Sequence, residues 1–180
     1  NLCDLATKGH FNLKNRQLNI NLPFSAIDKP DINSLLTCLL GKDNLMDGQY
    51  SLTSHLSARA APSVISRSFN GDLEFKAVEG RIYKLTLLSR ILSVINVSKV
   101  FKGKIPDISQ QGFAYNDVIV EADVKESVIQ LKKAIIDGRD MTLIFAGSID
   151  PIEDTLNLDC LVAPFKTVDL IIEKIPIINT

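Results

Sequence analysis

Hydrophobic residues in this chain recur mostly at every second position, the spacing of a strand with one face buried. Leu143, Phe145, Gly147 and Ile149 alternate along one segment, and Leu156, Leu158, Cys160 and Val162 along the next. An acidic run holding Asp150, Glu153 and Asp154 separates them, so residues 141–164 read as a hairpin with one apolar face. The same alternation runs through Phe11 and Leu13, through Leu18, Ile20 and Leu22, through Tyr50, Leu52, Ser54, Leu56 and Ala58, and through Val118, Val120, Ala122 and Val124. Asp47-Gly48, Asn70-Gly71, Glu79-Gly80 and Asp137-Gly138 punctuate the series, and such pairs supply the positive φ that tight turns require. In the second half of the chain the pattern predicts an antiparallel meander with strands of about eight to ten residues, each roughly 25–33 Å long.

Three segments follow a helical period instead. Residues 31–41 carry Ile32, Leu35, Leu36, Leu39 and Leu40, stopped by Gly41. Residues 83–103 carry Leu87, Leu88, Ile91, Leu92, Ile95, Val100 and Phe101, which predicts a helix with a wide apolar face. Lys84, Arg90 and Lys99 interrupt it, so it should pack on protein and not cross a membrane. Residues 166–176 predict a short last helix ended by Pro176, and residues 57–68 read as a loop or irregular strand. The expected fold is α+β: a curved antiparallel sheet with an apolar helix on its concave face and short flanking helices. An apolar face must be covered, either by the protein's own core or by a ligand such as a lipid chain.

Composition narrows the partners. The chain has 180 residues, enough for one domain or slightly more, and its 46% hydrophobic and 23% charged residues suit a folded protein. A net charge of −1 gives no electrostatic reason to expect nucleic acid, and the lack of Trp removes the best stacking platform for bases. The longest uncharged runs are about eleven residues, short of the roughly 18 that span a bilayer. The chain begins at Asn1 without Met or signal peptide, which leads to the expectation of a fragment of a longer protein.

Candidate chemistry is sparse. The three cysteines, Cys3, Cys38 and Cys160, form no CxxC or Cys/His cluster, so no zinc site is expected. Cys160 falls on an apolar strand face and reads as packing. In an oxidising compartment Cys3 and Cys38 could pair, closing a loop of about 35 residues and adding some 3–4 kcal/mol in the chain-entropy model. His10 and His55 have no ligand-type neighbours, and His55 falls on the solvent side of its strand. The carboxylates of residues 149–154 lack calcium-loop spacing and read as an acidic turn. Lys132 and Lys133 read as a solvated strand edge, and the sequon at Asn96 falls inside the predicted helix. No phosphate loop, nucleophile elbow or cofactor motif occurs, so neither enzyme activity nor a cofactor is expected.

From Asn70 to Thr180 an ordered series of segments stands out: NGDLEFKAVEGRIY, LLSRILSVIN, GFAYNDVIVEADV, MTLIFAGSIDPIEDTLNLDCLVAPF and DLIIEKIPII. In this order, with its G-x-L-x-F opening and its AGSID, VAPF and KIP close, the series resembles the AsmA-like C-terminal region of large bacterial envelope proteins. LCDLATKGHFNL and LLTCLLGKDNLMDGQYSL resemble the part that precedes it, which divides the chain at 1–69 and 70–180. The resemblance implies a periplasmic module of a longer chain anchored in the inner membrane, related to bridge-like lipid transfer proteins and tied to phospholipid transport and outer-membrane integrity. It implies acyl chains and other envelope proteins as partners, and an oxidising setting that favours a Cys3–Cys38 disulfide. The face expected to line a groove or fill a core comprises Leu143, Phe145, Ile149, Leu156, Leu158 and Val162 on the hairpin and Leu88, Ile91, Leu92 and Ile95 on the helix.

Overall fold

The computed structural model describes residues 5–26, 30–83, 112–139 and 141–164. Nine strands form one sheet among these residues: β1 (Leu5–Thr7), β2 (His10–Lys14), β3 (Gln17–Ala26), β4 (Met46–Ala60), β5 (Phe69–Ile82), β6 (Phe113–Lys125), β7 (Val128–Gly138), β8 (Met141–Asp150) and β9 (Thr155–Pro164). From β3 to β9 each strand pairs antiparallel with the next, while β1 and β2 share the outer edge of β3. The meander expected from the alternation is therefore present. The four strands of the second half have 13, 11, 10 and 10 residues, at or just above the expected length, and β4 and β5 in the first half reach 15 and 14.

Those lengths come from glycines that do not turn the chain. Gly48, Gly71 and Gly80 lie inside β4 and β5. At the first and last, the β4–β5 register shifts: Asp47 pairs with Arg81, whereas Gln49 pairs with Val78. Glu79 takes a φ of 51° in this bulge. A Cβ on Gly48 or Gly80 would collide with the hydroxyl of Tyr115, so close approach, and not a hairpin, explains both residues. Tyr115 uses that space to donate from its hydroxyl to the carbonyl of Asp47 at 2.5 Å. The Asp47 carboxylate accepts from the Arg81 N–H and the Tyr83 hydroxyl, each at 2.6 Å. Only Asp137-Gly138, of the four pairs, sits at a strand end.

Two tight turns form without an Asn-Gly or Asp-Gly signal. Asn15 and Arg16 join β2 to β3 with φ of 52° and 60°, and Glu126 and Ser127 join β6 to β7 with φ of 50° and 68°. Two successive positive φ values make the mirror-image turn that matches strand twist, at a steric cost to non-glycine residues. Tertiary bonds offset that cost at the second turn. Ser127 donates its hydroxyl to the Ser66 carbonyl at 2.6 Å, accepts the Phe69 N–H at 3.2 Å, and donates its own N–H to the Phe69 carbonyl at 2.8 Å. The Glu126 N–H meets the Asn70 side-chain oxygen at 3.1 Å. Residues 57–60, expected to be irregular, extend β4, and Pro62–Arg67 forms a short 3-10 helix.

The helix expected over 31–41 is α1 (Ile32–Leu40). Asp31 caps it by accepting the Asn33 N–H at 2.9 Å, and Gly41 closes it at φ 61° with its N–H on the Thr37 carbonyl. Its buried residues Ile32 and Leu35 join Tyr50, Ala77, Phe113, Tyr115, Val118, Met141 and Leu143 in one core. The predicted helices over 83–103 and 166–176 lie outside the described residues, except for Tyr83. No helix among the described residues is long and apolar enough to cross a membrane.

Candidate functional site

Register carries one apolar face across the whole sheet. Leu22 pairs with Leu56, Leu52 with Phe75, Phe75 with Val120, Val120 with Ala134, Ala134 with Phe145, and Phe145 with Cys160. Because side chains alternate faces along each strand, this one transverse row places every second neighbour on the same side. The hairpin residues named from the sequence all lie there: Leu143 opposite Val162, and Ile149 opposite Leu156, with Leu158 opposite Gly147 between them. Leu88, Ile91, Leu92 and Ile95 lie outside the described residues.

The face has two unlike ends. Toward α1 it is closed: Leu143 is 0% exposed, Ala77 is also fully buried, and Tyr50 stacks on Phe75 with ring centroids 6.1 Å apart. Burial extends there to the second face, where Thr142, Ile135, Ile144 and Ala163 are also buried. Toward the turns the cover thins. Leu56, Leu73, Ile129, Ile149 and Leu158 are half-buried and Ala58, Ala122 and Val124 stay buried in the middle, while Phe11, Leu13 and Leu156 are 66%, 65% and 58% exposed. Phe11 and Leu13 pair with Ile20 and Leu18 on β3, so apolar side chains stand open at both edges of the same half-face. Monomer surfaces carry scattered apolar residues, and here they gather at the two edges of one half-face.

The turns at this end are tied to one another. Arg67 on the β4–β5 connection forms a 2.5 Å ion pair with Glu153 in the β8–β9 turn, although β6 and β7 separate the two hairpins. The β4–β5 connection reaches across to the β6–β7 turn, where Ser66 meets Ser127, and the Arg67 side chain spans the remaining distance to Glu153. Bulges in β6 and β7 bend and twist the sheet locally, with register shifts at Tyr115/Asp117, Glu121/Ala122 and Leu131/Ala134. Outside its buried patch at Ile135, Ile144 and Ala163, the opposite face carries charged pairs. Lys76 pairs with Asp117 at 2.9 Å and Lys132 with Asp123 at 2.7 Å, which places the 132–133 lysines on a strand inside the sheet and not on a solvated edge.

Titratable groups are used structurally. Burial, then the Asp47 and Asp31 charges, push the Tyr115 hydroxyl well above its usual value of 10. Burial also raises the Cys160 thiol. The acidic turn organises itself: Asp150 accepts the N–H groups of Ile152 and Glu153 at 2.9 and 3.0 Å. His55 is exposed and faces Asp72 across β4–β5 at 3.4 Å, a cross-strand neighbour that sequence adjacency hides. A polar cleft at the turn end includes Arg59 and Arg67, but Arg59 donates to Gln17 and Arg67 is held by Glu153. No group of metal-ligating side chains occurs among the described residues. Cys38 is disulfide-bonded and Cys160 is free; Cys3, the expected partner of Cys38, lies outside the described residues.

Sequence reasoning missed Asp47, Ser127 and the contribution of Ile32 and Leu35 to closing the face. Asp47 and Ser127 act through partners 34 to 68 residues away, and no local spacing records such contacts. Compared with protein-family models, with curated proteins and with solved structures, the chain matches none.

Proposed function

We propose that this chain is a non-enzymatic periplasmic module of an AsmA-like envelope protein, serving phospholipid transport and outer-membrane assembly through the turn-end half of its apolar face. The observation that carries this reading is the exposed apolar residues at the two edges of this half, Phe11 and Leu13 on β2 and Leu156 on β9, with half-buried Leu56, Leu73, Ile129 and Ile149 between them. An acyl chain laid along it would bury apolar surface at about 0.8 kcal/mol per CH2 while its headgroup stays in water. The mechanism is passive, with no covalent step and no cofactor.

A second reading, a structural cap or docking domain that does not bind lipid itself, is favoured by the dense burial around Tyr50, Ala77 and Leu143. Native mass spectrometry of the purified chain, with uptake of a fluorescent fatty acid, separates the two. Co-purified phospholipid, or saturable uptake lost on Leu156→Asp, supports the groove. A protein that is free of lipid and takes up no fatty acid leaves only the cap.

A further inference from the structure

β9 ends the sheet with an outer edge that none of the described residues pairs. It keeps unbroken register with β8, from Thr155 opposite Asp150 to Pro164 opposite Met141. An open row of N–H and C=O groups is a template for another strand, and sheets usually guard it with short strands, bulges, prolines or lysines. The opposite edge is guarded in this way. There β3 is covered piecewise by β2, of 5 residues, and β1, of 3, with Lys8 and Gly9 between them and Lys14 at the end of β2. β9 shows no bulge, no Lys or Arg, and proline only at its last position. Leu161, on the face opposite Cys160, is 52% exposed.

We infer that β9 docks on β9 of a second copy of this chain, antiparallel about a two-fold axis perpendicular to the sheet. Such an axis keeps both apolar faces on one side, and it must pass through a residue pair of β9 and its own copy. Two centres give the longest overlap. Centring on Asp159 sets two carboxylates directly opposite each other, which disfavours pairing. Centring on Cys160 sets Asp159 opposite Leu161 of the partner subunit, and Leu158 opposite Val162 of the partner subunit. In this register the residues of the Cys160 face meet apolar partners, while on the other face Asp159 meets Leu161, so the one charge of β9 meets no like charge. Cys160 then faces Cys160 of the partner subunit at the roughly 4.5–5.5 Å Cα separation of opposed antiparallel residues, within disulfide reach.

Sedimentation of the 180-residue chain across the micromolar range tests this. A monomer–dimer equilibrium is expected. Leu161→Asp opposes two carboxylates twice per dimer and should weaken association about ten-fold, whereas Leu161→Lys should hold it or tighten it. Mild oxidation with copper–phenanthroline should cross-link the unsubstituted chain and not Cys160→Ser, which tests the register without relying on the charged variants folding. A chain that stays monomeric overturns the inference. So does a dimer indifferent to the sign of charge at 161 and not cross-linked through Cys160, and so does open-ended polymer, which would mean pairing of β9 with an unlike edge.

Discussion

Replacing Tyr115 by phenylalanine removes one oxygen from the closed end of the sheet and asks how much the β4–β5 bulge depends on it. The ring stays, so packing against the core is kept. What goes is the 2.5 Å bond from the hydroxyl to the Asp47 carbonyl, at a residue 3% exposed. Leaving a buried acceptor unpaired costs about 1–3 kcal/mol, so the expected loss is about 2 kcal/mol. The same bond gives a pH signature. The hydroxyl has its pKa raised in the fold, chiefly by burial, so it stays protonated while the unfolded tyrosine ionises near 10. Its contribution is thus complete below pH 10 and falls as pH rises beyond it. By pH 11 the loss is about 1 kcal/mol once solvent screening is allowed for. Urea unfolding of both proteins at pH 7, 10 and 11 (~) reads both effects: Tyr115→Phe should be less stable at neutral pH, and the gap should narrow in alkali. Equal midpoints at neutral pH, or parallel alkaline losses, would refute the role assigned to the hydroxyl.

Three other outcomes are expected. Leu143→Ala, at a fully buried core position, should cost about 2–5 kcal/mol in denaturant unfolding; a loss under 1 (~) would mean the closed end is loosely packed. Ser127→Ala removes the acceptor of the Phe69 N–H and the donor to Ser66, so stability should fall by about 1–3 kcal/mol and the Phe69 amide should exchange faster. Unchanged exchange there would show that Ser127 does not hold the turn. Alkylation of the unfolded, unreduced chain should label Cys160 alone, and reduction should add Cys3 and Cys38; three labelled thiols without reductant would exclude the disulfide.

The local pattern was enough to establish that this chain is an antiparallel meander with one apolar face. The reason is geometric: side chains alternate along a strand, so Leu143, Phe145, Leu158 and Val162 declare a shared face before any partner strand is known. Helix α1 was equally legible, because Asp31, the apolar spacing and Gly41 are all local signals. The glycines were misread for a physical reason. A glycine that makes a turn and one that lets a tyrosine hydroxyl approach look alike in sequence, and only the position of Tyr115 tells Gly48 and Gly80 apart from hairpin residues. Conversely, the Glu126-Ser127 turn carries no glycine, because bonds from Ser66, Phe69 and Asn70 hold its positive φ values. Which half of the apolar face is buried and which is open was likewise decided in three dimensions. Both halves have the same alternation, but Ile32 and Leu35 of α1 and the Tyr50–Phe75 stack join the core around Leu143 at one end, while Phe11, Leu13 and Leu156 stay exposed at the edges of the other.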